Sequence, residues 1–238
     1  MISKHGFMVL VLLLIILSLE FKASALCQRL CGDIRLPYPF GFSEDCEIRL
    51  SCSESREILI GEFKFHNLTS DNLIVNIPAE CNRPIETLSQ LVTPNYAIST
   101  QNGILLGNCN SMVMQNDCII SNNSIQRHFE LQECSGQNVS CYSKEDKEDN
   151  KFLSWNELNQ SGCNMLFSSV ALDDLNKGTS MAVEFQKIQL GWWLKGNCKC
   201  SDHTTCTNFT VKEGLGYRCK CNRGYVGDGF SAGVGCRK

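Results

Sequence analysis

Histidine is scarce, with four in 238 residues, and only His66, His128 and His203 lie beyond the first 25 positions. No H-E-x-x-H and no G-x-S-x-G occurs, so the usual zinc-hydrolase and serine-nucleophile signatures are absent. Neither H-R-D nor D-F-G is present. The one glycine-dense stretch, Gly227 to Gly235, lacks the G-x-G-x-x-G register, precedes no lysine-bearing strand and ends in Cys236. The chain as given therefore holds no phosphoryl-transfer machinery. A carboxylate pair of the glycosidase kind is left open, because the fold and not the spacing assembles it. Long apolar runs are scarce too, with none of membrane-spanning length after residue 25, and neither an internal repeat, a low-complexity linker nor a long amphipathic helical pattern is found.

What the sequence does have points to export. Lys4 and His5 precede an apolar run from Phe7 to Leu19 broken only by Ser18, and Ala23-Ser24-Ala25 follows. Charged, apolar and small-residue regions in that order predict a signal peptide over residues 1–25. Glu20 and Lys22 make the run too short for a membrane helix, which needs about 20 apolar residues. The remaining chain keeps all 16 cysteines, an even number, and predicts eight disulfides in an oxidising compartment. Five N-x-S/T sequons, at Asn67, Asn122, Asn138, Asn159 and Asn208, agree with that compartment and are expected to carry glycans.

Beyond residue 25 there are 20 basic and 24 acidic residues, a net charge of −4. The part from Trp192 onward carries +5 and the preceding body −9. So acidic a body is a poor general binder of polyanions, nucleic acid included, whereas the basic tail is suited to that role.

The length suits one body of about 165 residues and a small module. The expected fold class is all-β or β-rich and disulfide-rich. Ile58 to Phe65 and Leu73 to Ile77 flank a polar segment and predict a hairpin. Val183, Phe185, Ile188, Leu190, Trp192 and Leu194 recur with a period near two, which predicts strand with one buried face. On that pattern Trp192 is buried and Trp193 lies on the opposite face. Asn102-Gly103 and the segments at Pro78, Pro84 and Pro94 predict turns. The charge run Lys144 to Asp149 predicts a solvated loop.

The last six cysteines are Cys198, Cys200, Cys206, Cys219, Cys221 and Cys236. Cys219-x-Cys221, the aromatic Tyr217 and the turn Gly224-Tyr225-Val226-Gly227-Asp228-Gly229-Phe230 resemble the C-terminal half of an EGF-like domain. The resemblance implies that Cys198 pairs with Cys206, Cys200 with Cys219, and Cys221 with Cys236. The single residue between Cys198 and Cys200 is shorter than the family's usual spacing and leaves the first bridge least secure. A module this small depends on such bridges, because it cannot bury enough apolar surface to fold alone. The segment before Cys198 has no carboxylate, so a calcium site of the EGF type is not expected. Cys198, Cys200, His203 and Cys206 have the spacing of a zinc site, but thiolates oxidise in the secretory pathway. No metal and no cofactor is expected.

The other end reads Cys27-Gln28-Arg29-Leu30-Cys31-Gly32-Asp33-Ile34-Arg35-Leu36-Pro37-Tyr38-Pro39-Phe40-Gly41. With Gln101 to Cys109, Cys163 to Ser169 and Leu190 to Leu194, it resembles the galacturonan-binding domain of plant wall-associated receptor kinases. The resemblance covers nearly all of 26–238 and implies two parts, a cysteine-rich galacturonan-binding-like domain over 26–194 and an EGF-like module over 196–238. It implies extracellular, non-catalytic binding of pectic polysaccharide or oligogalacturonide at the cell wall. The expected location is secreted, or plasma membrane if the chain is part of a longer receptor. The EGF-like module is a possible contact for an extracellular protein.

Arginine can clamp a uronate carboxylate and an aromatic face can cover a sugar ring, so the candidate binding residues are Arg29, Arg35, Tyr38, Phe40 and Trp193. Two other readings stay open: Pro37 to Gly41 as a rigid turn with its aromatics in the core, and calcium bridging protein and pectin carboxylates. A cysteine-rich protein-binding module or inhibitor with no carbohydrate ligand is the alternative function.

Overall fold

The computed structural model describes residues 26–110, 118, 122–129, 139–144, 151–174, 181–211 and 214–238. The expected signal peptide, Asn138, Cys134 and most of the 144–149 charge run lie outside them. The chain is β-rich, as its patterning indicates. A six-stranded antiparallel sheet runs in the order Ser51–Cys52, Ile58–Ile60, Phe63–Leu68, Asn72–Asn76, Lys187–Trp192, Tyr96–Ile98. A four-stranded sheet is ordered Val139–Tyr142, Asn102–Gly107, Met165–Asp174, Met181–Phe185.

The predicted hairpin forms between Phe63–Leu68 and Asn72–Asn76, closed where Thr69 Oγ1 accepts the Asn72 amide at 2.9 Å. Its first apolar run is divided at Gly61, whose φ of 60° turns Ile58–Ile60 back onto Phe63. Lacking a β-carbon, glycine adopts this left-handed conformation without strain.

The strand Asn102–Gly107 is buried along its whole length. Ile104 and Leu106 join the larger core, with Leu73, Ile98, Leu166, Ile188 and Leu190. Leu105 belongs to a second cluster with Ile125, Met165, Phe167 and Val170. Alternation in a strand sends neighbours to opposite faces, so this sheet has two buried faces. The short helix Asn122–Phe129 supplies Ile125 and Phe129 to the second cluster.

Two expectations are corrected here. Asn102 begins a strand and is fully buried, where Asn-Gly predicted a turn. Its Nδ2 donates to the Ser99 and Gln189 carbonyls, each at 2.8 Å, and its Oδ1 accepts the Gln189 amide at 2.8 Å. One side-chain amide thus staples the two sheets together. Lys187–Trp192 is likewise buried on both faces and not on one. Gln189 can lie inside because Nε2 donates to the Leu172 carbonyl and Oε1 accepts from Asn72. Buried polar groups are tolerated when paired in this way.

After Trp192 the chain continues as Leu194–Lys195, which pairs with Gly214–Cys221 in a three-stranded sheet completed by Thr204–Val211. Leu194–Lys195, where the expected boundary falls, thus pairs with a strand of the C-terminal part. Cysteines pair as 27–46, 31–52, 109–163, 118–141, 198–206, 200–219 and 221–236, and Cys81 is also disulfide-bonded.

Candidate functional site

The disulfides Cys27–Cys46 and Cys31–Cys52 hold the N-terminal loop, in which Leu30–Cys31 pairs with Ile34–Arg35. Gly41 marks how tightly it is packed. A β-carbon there would lie 2.5 Å from Cys27 Sγ and 2.7 Å from the Gln28 carbonyl oxygen. The loop leads into Pro37 to Gly41, where the Tyr38–Pro39 peptide is cis and Phe40 is fully buried. Phe40 packs edge-on against Trp192 at 5.0 Å, and Tyr38 leans on Phe230 at 5.2 Å. For Phe40 the rigid-turn reading is correct: its ring is core, bracing the site from behind.

A cleft of about 530 Å³ opens beside this turn. Arg29, Arg35, Tyr38 and Phe40 line one side, and the C-terminal part supplies Lys220, Asp228 and Val234. Four of the five sequence candidates thus meet at one place. The fifth does not. Trp193 is 4% exposed and turned toward a different groove, where its Nε1 donates to the Pro94 carbonyl at 3.0 Å. It follows directly on Lys187–Trp192, a strand buried on both faces, so alternation does not bring it to solvent. Trp192, expected to be buried, is buried and lines the cleft.

The cleft is cationic although the body is acidic. The Arg29 guanidinium sits 5.3 Å above the Tyr38 ring. Neither Arg29 nor Arg35 has an ion-pair partner among the described residues. Lys220 Nζ lies 3.4 Å from Ser70 Oγ and 3.6 Å from Asp71. Among the described lining residues the carboxylate is that of Asp228, and it is committed to its own turn, accepting amides from Phe230, Val234 and Gly235 at 2.8–3.1 Å. Its oxygens are therefore poorly placed to bridge calcium, which takes six to eight oxygen ligands. Burial, reinforced by the neighbouring Glu47 carboxylate, pushes the Tyr38 hydroxyl up to about 12. It stays neutral at every physiological pH, so the side chain offers an uncharged ring face, its hydroxyl being hydrogen-bonded to Glu47.

Behind the cleft, Arg218 joins the two parts of the chain. It is 6% exposed, between the rings of Trp192 (5.1 Å) and Phe209 (4.8 Å). Nε donates to the Trp192 carbonyl at 3.1 Å, and Nη1 to the carbonyl and carboxylate of Asp71 at 2.7 and 2.9 Å. Residue spacing does not reveal this bridge. The concentration of positive charge after Trp192 was the available signal for Lys220 and Arg218.

The Cys198, Cys200 and Cys206 sulfurs lie within 4.8 Å of one another, but they belong to the Cys198–Cys206 and Cys200–Cys219 disulfides, and His203 is stacked on Tyr225. Disulfide sulfurs are not thiolates, which zinc would require. Asn67, Asn159 and Asn208 are exposed. Asn122 opens the helix Asn122–Phe129, and its side chain is outside the described set.

Comparison with known proteins gives relatives but no fold template: no family model and no solved structure matches. The chain is 36% identical over 214 residues to wall-associated receptor kinase-like 14 of Arabidopsis thaliana, covering 86% of this chain and 30% of that protein. It is 34% identical over 215 residues to wall-associated receptor kinase-like 21 of the same plant, covering 87% and 33%. Wall-associated receptor kinase 1 is more distant, at 22% identity, with 89% and 34% covered. Homology to wall-associated receptor kinase-like proteins therefore extends over most of this chain, and the chain spans about a third of the length of these curated relatives. Among the described residues no helix is long and apolar enough to cross a membrane.

Proposed function

We propose that this relative of the wall-associated receptor kinase-like proteins is an extracellular, non-catalytic recognition unit at the plant cell wall, and that it binds acidic polysaccharide of the galacturonan type. The observation that carries the reading is the cleft itself. Arg29, above the Tyr38 ring, lines it with Arg35, neither having an ion-pair partner among the described residues, and Lys220 lies on the same cleft, while the lining carboxylate of Asp228 is engaged by backbone amides. A guanidinium can clamp a uronate carboxylate with two parallel hydrogen bonds, while a neutral ring covers the apolar side of the sugar. The acidic body then acts as a filter, steering polyanions away from everywhere but this edge. A site of this size takes a few sugar units, so strong retention comes from many units along one chain.

The test uses oxidised protein from a secretory host on immobilised oligogalacturonide and on neutral glucan. Retention should be confined to the acidic polymer and weaken as salt rises, because exposed charge pairs are screened within about 10 Å at 0.1 M. Arg29→Ala with Arg35→Ala should weaken binding about tenfold, two exposed pairs contributing up to about 1 kcal/mol each. Equal retention on both polymers, or an unchanged double variant, rejects the reading and favours a protein ligand.

A further inference from the structure

A second groove, of about 720 Å³, lies on another part of the surface. The half-buried rings of Phe152, Trp155 and Phe209 line it, with Trp193 beneath Phe152 at 4.7 Å. Its other lining groups are apolar side chains such as Val92 and Leu153 and neutral hydrogen-bonders such as Thr93, Asn156 and Thr210; Lys151 and Glu157 are the charged ones among the described residues, and Glu157 is already committed to Lys144 and to Ser154. Ring faces with neutral hydrogen-bonding groups and room for two or three sugar units describe a site for uncharged carbohydrate. The charged cleft beside Tyr38 has the opposite character.

The same groove carries a sequon in its wall. Asn208, Phe209 and Thr210 all line it, and the central residue of Asn208-Phe209-Thr210 is one of its rings. Asn208 is exposed in the strand Thr204–Val211. Its Oδ1 is 3.4 Å from the disulfide sulfur of Cys198, and its Nδ2, where a glycan attaches, has no hydrogen-bond partner among the described residues. A sugar tethered here reaches the rings intramolecularly, at an effective concentration on the order of millimolar for a short tether.

We propose that Asn208 is glycosylated and that the N-acetylglucosamine core of its glycan folds back to occupy this groove. Attachment joins Nδ2 to the anomeric carbon of a lipid-pyrophosphate-linked oligosaccharide. The bond from that carbon to the pyrophosphate breaks, the lipid pyrophosphate leaves, and Nδ2 loses one proton. The glycan then acts as part of the fold, covering half-buried aromatic surface between Lys151–Glu157 and the EGF-like part.

Protein secreted from mammalian cells tests this directly. Glycopeptide mass spectrometry should find Asn208 occupied. Under native conditions peptide N-glycosidase should release that glycan at least tenfold more slowly than the one at Asn67, and at an equal rate after denaturation. Asn208→Gln and Thr210→Val each remove the sequon, and each should raise binding of an apolar fluorescent dye and speed hydrogen exchange over Lys151–Glu157. An unoccupied Asn208, native release as fast as at Asn67, or dye binding unchanged in folded variants overturns the proposal. If neither variant folds, the native release rates of the unaltered protein decide it.

Discussion

The Arg218–Asp71 bridge makes an asymmetric prediction, because its two partners differ in exposure. Arg218 is 6% exposed, whereas the Asp71 side chain is 57% exposed. Removing the arginine releases a carboxylate that water can solvate, and the loss is that of its hydrogen bonds to two carbonyls and its ring contacts. Arg218→Met keeps the stem's packing between Trp192 and Phe209, so the expected cost is about 1–2 kcal/mol. Removing the aspartate instead strands a buried cation. Breaking a buried pair costs about 3–5 kcal/mol, and the carbonyls of Trp192 and Asp71 still accept from Arg218, so Asp71→Ala should cost about 3 kcal/mol. For a chain of this size those losses lower Tm by about 2–8 °C and about 6–12 °C, at 2–4 °C per kcal/mol. Hydrogen exchange should quicken first in Thr204–Val211 and Gly214–Cys221, the strands that Arg218 pins to the body. Acid gives an independent reading. Burial pushes the Asp71 carboxyl up, but Ser70, Arg218 and Lys220 outweigh it and hold the carboxyl below its ordinary value. Its contribution is then complete above about pH 4, the unfolded value, and is lost as pH falls through the lower folded one. Asp71→Asn should lack that component of the acid profile. Thermal scans in which Arg218→Met proves more damaging than Asp71→Ala, or both leave Tm unchanged, refute the reasoning.

Asn102→Leu, which deletes three buried hydrogen bonds and leaves their backbone partners unpaired, should cost at least about 3 kcal/mol by chemical denaturation. A loss under 1 kcal/mol would mean that the two sheets are not stapled there. Gly41→Ala drives a methyl group into the Cys27–Cys46 disulfide, so secretion should fall and non-reducing peptide maps should show Cys27 mispaired. Normal yield with native pairing would show that the loop has room to move.

The β-rich character and the hairpin at 63–76 were legible because apolar periodicity and polar turns are local signals. What escaped local reading was burial through long-range pairing. Asn102-Gly103 carries a strong turn signal, yet the amide is spent on Ser99 and on Gln189, 87 residues away. Gln189, Gly191 and Trp193 alternate with apolar neighbours as if they faced solvent, and each is buried, because an apolar surface or a hydrogen-bond partner from elsewhere in the chain closes over them. Gly191 and Gly216 are part of the same closure, since a β-carbon at either would overlap Phe152 or Trp193. The cleft was legible by residue type in its N-terminal half. Arg29, Arg35 and Tyr38 sit within ten residues of one another and have the chemistry of carbohydrate recognition. Its other half comes from residues 219–234 and reaches that place through Phe230, which packs against Tyr38, Trp192 and Tyr217. The +5 charge of the C-terminal part could have served any surface. It serves this cleft because Arg218 is held by Asp71 on the body, and Lys220, two residues along the same strand, is carried to the cleft with it.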